Sequence, residues 1–157
     1  MRRKTQNFKS EILFIGIGNE YRTDDRVGLI VAQKLRETRI LNTETAELMR
    51  NGTSLIDRWK DARTVFLFDA VFSGVEPGTV HRFDAITQAI PINFFRYSTH
   101  TFSIAEMIEL ARTLNQLPPR LIVYGVEGKS FKMGTKLSSE VNRAVGMVVE
   151  CVLAEFH

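Results

Sequence analysis

Apolar positions divide the chain into short continuous runs and longer stretches with helical spacing. Residues 12–17, 64–68 and 121–124 form almost wholly apolar runs, which are typical of strands buried on both faces of a parallel sheet. Residues 45–49 are a weaker strand candidate, and residues 80–83 alternate between apolar and polar side chains. These patterns predict a sheet of about five strands.

Four other stretches carry apolar residues at the spacing of an amphipathic helix. They cover residues 27–37, 53–60 and 102–114, and the last begins at Ser138. The predicted order of elements is therefore β-α-β-α-β-β-α-β-α. Such alternation is typical of an α/β three-layer sandwich, in which a mostly parallel, twisted sheet carries helices on both faces.

Turn and capping residues add detail to this prediction. Residues 76–79 contain a Pro-Gly pair, which favours a tight turn, and we expect the strands on either side to be antiparallel neighbours. Ser103 and Glu106 stand three residues apart, as in a capping box at the start of the third helix. Thr23 or Asp24 is the predicted N-cap of the first helix.

Length and composition predict a single domain. The chain has 157 residues, of which 44% are hydrophobic and 25% are charged, and both values are typical of globular proteins. No apolar run approaches the roughly 20 residues that a membrane-spanning helix needs. We expect residues 11–157 to form the domain and residues 1–10 to form a flexible basic tail.

The charge pattern and the single cysteine bear on partners and location. The net charge is only +3, and the cations Arg2, Arg3, Lys4 and Lys9 lie in the tail. We expect this cluster to be solvated, with no nucleic acid or membrane as partner, and the protein to be a monomer. Cys151 agrees with a reducing cytoplasm, and its helical position predicts a buried or half-buried structural thiol.

Two acids and one histidine are the strongest candidates for chemistry. Asp25 lies in the polar loop after the first strand, Asp69 ends the second apolar run, and His100 precedes the third helix. Because ligands of open α/β sheets bind beyond the carboxyl ends of the strands, we expect these side chains to meet there. Such a set suits either a divalent metal ion or acid–base catalysis. His81 is expected to face solvent and His157 is terminal, so both are discounted.

Two other interpretations fit the residues less well. Gly16 and Gly18 after a strand are typical of a dinucleotide-binding loop, but Tyr21 replaces the third glycine and the acids that follow would repel a pyrophosphate. Ser98 beside His100 would suit a serine hydrolase, but the chain lacks the G-x-S-x-G nucleophile motif. A nucleotide-binding domain and a non-catalytic module of the same fold stay open as alternatives.

Several segments together resemble the hydrogenase maturation proteases, which process the large subunit of nickel–iron hydrogenases. The family's G-x-G-N…D-[DE]-x-x-G opening, D-A strand end, P-G turn and [ST]-x-H before a helix occur here in the same order. Its glycine turn after the second strand, G-[IV] strand end and G-x-x-L-[ST] helix start also have counterparts. The segments are residues 15–28, 51–53, 68–70, 77–79, 98–100, 124–126 and 134–138.

Three positions depart from the family pattern. Asn51 stands where an Asp often precedes the glycine turn, and Arg26 replaces a residue that is often small. Residues 126–128 lack the proline that commonly follows that strand. These changes bear on which hydrogenase is recognised more than on the chemistry.

The resemblance implies both an activity and a source for the metal. The protein is expected to be an endopeptidase that removes a short C-terminal extension from the large-subunit precursor of a nickel–iron hydrogenase. By matching position, Asp25, Asp69 and His100 would bind nickel or a surrogate ion. The precursor is expected to carry the nickel, so no permanent cofactor is required. The ion would either polarise the scissile carbonyl or activate a water.

Overall fold

Five strands make up one sheet. They are β1 Ser10–Gly18, β2 Thr43–Met49, β3 Ala62–Val71, β4 Val80–Asp84 and β5 Arg120–Glu127. The computed structural model describes residues 10–49, 55–95 and 103–156. In space the order is β2-β1-β3-β5-β4, with the first four of these parallel and β4 antiparallel at one edge.

Helices connect the strands and cover both faces of the sheet. The α-helices are α1 Val27–Glu37, α2 Leu55–Trp59, α3 Ile104–Thr113 and α4 Ser139–Ala154, and two short 3-10 helices span Thr23–Arg26 and Ile92–Phe95. The order of strands and α-helices confirms the predicted β-α-β-α-β-β-α-β-α pattern. The predicted α/β class with a mostly parallel sheet of five strands is also confirmed.

Alternate residues of the central strands point to opposite faces, and each face has its own core. On one face, Leu67 and Val123 pack with α2 and α3, including the buried Trp59. On the other, Phe68 and Tyr124 pack with α1 and α4, and their rings stack with centroids 6.0 Å apart. We call these the α3 face and the α4 face. Burial on both faces explains why β3 and β5 are continuous apolar runs.

The position of β4 differs from the predicted one. The sheet is mixed, as expected, but β4 pairs with β5 and not with β3, so β5 lies between the two. Residues 72–79 connect β3 to β4, and a connection of this length crosses two strand spacings of roughly 5 Å each. The prediction treated the Pro-Gly turn as the whole connection, and it therefore gave β4 the wrong neighbour.

Two predictions for the helices have opposite outcomes. The capping box of α3 is confirmed, because Ser103 is its N-cap and accepts a hydrogen bond from the Glu106 N–H at 3.3 Å. Cys151 is exposed, so the predicted burial of this thiol is wrong. In α4, Val148 and Val152 face the core, and successive residues turn by about 100° around the helix axis. Cys151 therefore lies outside the buried stripe.

Some predictions concern residues outside the described ranges. They include the basic tail up to Lys9, the segment 51–53, Ser98, His100 and His157, and they stay predictions. Within the described ranges, no helix is both long enough and apolar enough to cross a bilayer. The cytoplasmic location and the monomeric state also stay predictions.

Glu155, the C-cap of α4, links the end of the chain to β4 and β5. Its carboxylate accepts hydrogen bonds from the Tyr124 hydroxyl at 2.5 Å, Arg82 Nη2 at 2.6 Å and Arg120 Nη2 at 2.9 Å. Burial alone would raise the pKa of Glu155, but the hydrogen bonds from Arg82 and Tyr124 outweigh it and lower the pKa below its ordinary value of 4.5. Burial, together with the Glu155 carboxylate, raises the pKa of the Tyr124 hydroxyl, which therefore stays a donor.

We expect Glu155→Gln to lower the free energy of unfolding by about 1–2 kcal/mol near neutral pH, because an amide is a weaker acceptor for two guanidinium groups. The carboxylate's contribution is present above the unfolded-state pKa of 4.5 and is lost as the pH falls through the lower folded-state pKa. Urea unfolding between about pH 7 and about pH 3 measures this loss. The variant should lose less stability on acidification than the wild type, and equal losses would contradict this role.

Candidate functional site

The loop after β1 folds back on itself before α1 begins. The side-chain oxygen of Asn19 accepts a hydrogen bond from the Tyr21 N–H at 2.9 Å, which forms an Asx turn. The Asp25 N–H donates to the Arg22 carbonyl at 2.9 Å, and the Asn19 N–H donates to the Asp25 carbonyl at 3.3 Å. These bonds hold Asp25 beside the end of β1.

Two glycines allow this loop and α1 to lie very close to the sheet. A Cβ atom at Gly18 would be 2.0 Å from the carbonyl oxygen of Asp25, and one at Gly28 would be 2.3 Å from that of Phe68. Both contacts are with backbone, so a larger residue at either position requires the backbone to move. Because Phe68 precedes Asp69 in β3, this packing brings the start of α1 against the end of that strand.

Asp69 lies near the end of β3 on the α3 face, on the same side as Leu67 and Val71. The strand runs on to Val71, so the prediction that Asp69 ends it is wrong by two residues. Asp69 is buried, and its Oδ1 accepts a hydrogen bond from the Ala70 N–H at 2.8 Å. Across the sheet Asp69 pairs in register with Gly125 of β5.

Asp25 and Asp69 lie at the same edge of the sheet. The 3-10 helix Thr23–Arg26 packs against β3, and each of the two acids is only 1% exposed. After β1 the chain connects to β2, which lies on one side of the β1–β3 pair. After β3 it connects to β4, which lies beyond β5 on the other side of that pair. The two acids therefore lie at the topological switch point, which is where open α/β sheets bind ligands.

The third predicted residue, His100, lies outside the described ranges. Among residues 10–49, 55–95 and 103–156, no three His, Cys, Asp or Glu side chains are arranged to hold a metal ion. Two carboxylates form an incomplete shell for a transition metal. A metal site at Asp25 and Asp69 therefore requires ligands from another part of the chain or from a bound molecule.

Asp24 is a structural anchor for the loop between β5 and α4. It is fully buried, and its Oδ2 accepts hydrogen bonds from the N–H groups of Lys129 at 2.8 Å and Ser130 at 2.9 Å. Its Oδ1 accepts from the Ser138 N–H at 2.8 Å and from the Ser138 hydroxyl at 3.0 Å. Ser138 is the N-cap of α4, so this carboxylate also supports the start of the last helix.

The first helix begins without the predicted cap. The N-cap of α1 is Arg26, which makes no side-chain capping bond, so the prediction of Thr23 or Asp24 in this role is wrong. The Asp24 carboxylate instead binds N–H groups of the loop after β5. These partners are more than 100 residues away along the chain, so the local sequence around Asp24 does not indicate them. Arg26 Nη1 donates to the Thr135 carbonyl in that same loop. Its Nε is buried and has no hydrogen-bond partner in the part of the chain that the structure describes.

Thr23 adopts a strained backbone conformation between these two loops. Its φ is +44°, in the left-handed region that β-branched residues rarely occupy. The Thr23 N–H donates to the Gly134 carbonyl at 3.0 Å, and the Thr23 hydroxyl donates to the Lys132 carbonyl at 2.6 Å. The Gly134 N–H donates in return to the Tyr21 carbonyl at 2.9 Å. The loop after β5 thus fixes the loop that carries Asp25, and these hydrogen bonds maintain the strained backbone conformation of Thr23.

Glu127 and His81 form a second polar group, which the sequence pattern did not predict. Glu127 is buried at the end of β5, and its carboxylate accepts from the Ser73 N–H at 2.8 Å, the Ser73 hydroxyl at 2.5 Å and the Gly74 N–H at 3.3 Å. His81 Nε2 is 3.4 Å from Glu127 Oε1, and the imidazole is 16% exposed, so its predicted solvent-facing position is wrong. The pattern that identified Asp69, an acid at the end of an apolar strand, also applies to Glu127.

Comparison with protein families gives one match that covers most of the chain. A family model described as hydrogenase maturation protease matches residues 30–155. The hydrogenase expression/formation protein HupD of Thiocapsa roseopersicina is 27% identical over 147 residues, which cover 91% of this chain and 66% of HupD. The hydrogenase 2 maturation protease of Escherichia coli K12 is 26% identical over 148 residues, which cover 91% of this chain and 88% of that protein. The chain thus spans just under two thirds of the length of HupD.

Solved structures share the fold. The hydrogenase maturating endopeptidase HybD from E. coli superimposes with a TM-score of 0.74 at 23% identity, over 92% of this chain and 91% of that one. A [NiFe] hydrogenase maturation protease from Thermococcus kodakarensis gives a TM-score of 0.70 at 22% identity, over 92% and 90% of the two chains. The five-stranded α/β architecture is therefore that of these proteins.

We expect Asp24→Asn to lower the free energy of unfolding by about 2–4 kcal/mol, because Asp24 is buried and one amide oxygen cannot satisfy the three backbone N–H donors that its carboxylate binds. Asp57→Asn is the matched control, since Asp57 lies on the exposed side of α2, and it should change stability by less than about 0.5 kcal/mol. Urea denaturation followed by circular dichroism measures both variants. Equal stability of the two variants would show that Asp24 does not anchor the loop.

Proposed function

The chain belongs to the hydrogenase maturation protease family, a family of hydrolases that act on peptide bonds, and from this premise we propose that it is an endopeptidase. Its proposed substrate is the nickel-loaded large-subunit precursor of a nickel–iron hydrogenase, from which it removes a short C-terminal extension. The observation that supports the proposal most is that Asp25 and Asp69 are both buried at the same edge of the sheet, at the switch point between β1 and β3.

Asp25, Asp69 and His100 are the proposed ligands of the nickel that the precursor carries. Carboxylate oxygens and an imidazole nitrogen are suitable ligands for a divalent transition metal. Three protein ligands leave coordination positions for groups of the precursor, so the affinity for the free ion is expected to be low. The proposed role of His100 rests on the sequence resemblance alone. The proposed role of the two acids is also supported by their positions in the structure.

Nickel in this proposal is part of the substrate and not a resident cofactor. A precursor without nickel offers no cation to Asp25 and Asp69, and bringing it against two buried carboxylates is unfavourable. Cleavage is thereby coupled to metal loading. Water supplies a hydroxyl to the acyl carbon and a proton to the departing amine, and the ion assists by polarising the carbonyl or by activating that water.

The loop after β1 disfavours the nucleotide-binding alternative. Its start resembles a dinucleotide loop, but Asp24 and Asp25 are both buried where the pyrophosphate would bind. The backbone N–H groups of Asp24 and Asp25 are also used, since they donate to the carbonyls of Ser130 and Arg22. A non-catalytic module that binds nickel or the precursor uses the same acids, and only a cleavage assay separates it from the endopeptidase.

We expect Asp25→Asn, Asp69→Asn and His100→Ala each to slow processing of the nickel-loaded precursor by at least about 100-fold, because each removes a ligand of the ion. The readout is the mass of the large subunit before and after incubation with the purified protein. Asp57→Asn serves as the control and should process at the wild-type rate. The same precursor prepared without nickel should stay intact.

Each outcome of this assay has a separate meaning. If all three variants still process the precursor, the assignment of the site is wrong. If the wild-type protein binds the loaded precursor but leaves its mass unchanged, the protein is a binding module and the proposed activity is wrong.

A further inference from the structure

Asp69, Gly125 and His81 lie in one row across three adjacent strands. Gly125 of β5 pairs in register with Asp69 on one side and with His81 on the other. The imidazole lies on the α3 face, as Asp69 does, because His81 and Phe83 both contact the ring of Phe94 and Phe83 packs against the α3-face core. Gly125 has no side chain, so no side chain of β5 separates the acid from the imidazole. Asp69 and His81 are two strand spacings apart, which places their Cα atoms at a separation of roughly 10 Å.

Three contacts hold the imidazole of His81 in one orientation. Its Nε2 is 3.4 Å from Glu127 Oε1, its ring centroid is 4.8 Å from that of Phe94, and it stacks on Phe83 at 6.4 Å with 7° between the planes. A carboxylate can only accept, so Nε2 is the donor in this contact, and in the tautomer with its single proton on Nε2 the other ring nitrogen, Nδ1, is an acceptor. Within the described ranges, the side-chain hydrogen bond of His81 involves Nε2 and not Nδ1.

The same contacts fix the imidazole relative to the segment that follows Asp69. The Glu127 carboxylate binds the N–H groups of Ser73 and Gly74, shortly after β3 ends. The Phe72 N–H donates to the Phe94 carbonyl at 2.9 Å, which joins this segment to the ring that packs on His81. Asp69 and the imidazole of His81 therefore have fixed positions relative to each other on the α3 face of the sheet.

We propose that His81 is a substrate-binding residue, whose Nδ1 accepts a hydrogen bond from a main-chain N–H of the precursor about three residues from the scissile bond. Glu127 is the positioning residue that orients the ring. The inference rests on the proposed function and adds a subsite to it. An extended peptide rises roughly 3.3 Å per residue, so a chain with its scissile carbonyl at Asp69 presents an N–H over His81 about three residues further on.

Two substitutions of His81 separate substrate binding from structural support. His81→Gln places its amide near the position of Nε2, so it keeps the contact with Glu127 and removes the acceptor at Nδ1. His81→Asn places its amide near Nδ1 and loses the contact with Glu127. Steady-state cleavage of the nickel-loaded precursor by each purified variant gives KM and kcat separately.

We expect His81→Gln to raise KM about tenfold with kcat within about twofold of the wild type, because one hydrogen bond to the substrate is lost. His81→Asn should raise KM less, about threefold, while its thermal unfolding midpoint falls below that of His81→Gln. Glu127→Gln should raise KM with kcat retained.

A purely structural histidine gives the opposite order, with His81→Gln close to the wild type in KM and His81→Asn impaired, and that order would overturn the inference. An unchanged KM in both variants would overturn it as well. A wild-type protein that leaves the precursor uncleaved contradicts the proposed function instead. In that case the Kd of the intact precursor for the same variants, measured by calorimetry, still decides the role of His81.

Discussion

The lack of a side chain at Gly18 and Gly28 is the constraint on which the rest of the site depends. Backbone oxygens lie very close to where the Cβ atoms of these residues would be. A Cβ atom at Gly18 would be only 2.0 Å from the carbonyl oxygen of Asp25. This contact allows the loop after β1 to pack directly on the sheet, and the contact of Gly28 with the Phe68 carbonyl brings α1 against β3. Asp25 follows β1 in the 3-10 helix Thr23–Arg26 and Asp69 lies in β3, and these two backbone contacts bring them to one edge of the sheet.

Adjacent acids in this loop have different physical roles. Asp24 and Asp25 are both buried, but the carboxylate of Asp24 binds N–H groups of the loop between β5 and α4. That loop in turn holds Thr23 in its left-handed conformation. The contacts of Thr23 and Asp24 thereby hold the 3-10 helix that contains Asp25, and this helix packs against β3. Such division of roles suits a site in which the geometry must be fixed before the substrate arrives.

The parts of the fold that a local pattern encodes were predictable from the sequence. β1, β3 and β5 are apolar runs because both of their faces are buried, and the Ser103 cap of α3 forms within one helical turn. The neighbour of β4, the partners of Asp24 and the pairing of His81 with Glu127 depend on residues far apart in the chain. No local pattern specifies such contacts. Asp69 could be singled out because it directly follows an apolar run, and burying a charge there is costly unless the charge is paired or hydrogen-bonded. The assignment of Asp25, Asp69 and His100 as one site stays a prediction.

We propose that Asp25, Asp69 and His100 together bind the nickel of the precursor. Anomalous diffraction from crystals soaked in nickel or cadmium tests this claim directly. We expect one ion at the switch point between β1 and β3, roughly 2.0–2.4 Å from an oxygen of each carboxylate and from a nitrogen of His100. An ion that contacts neither carboxylate, or that binds only elsewhere on the protein, would contradict it.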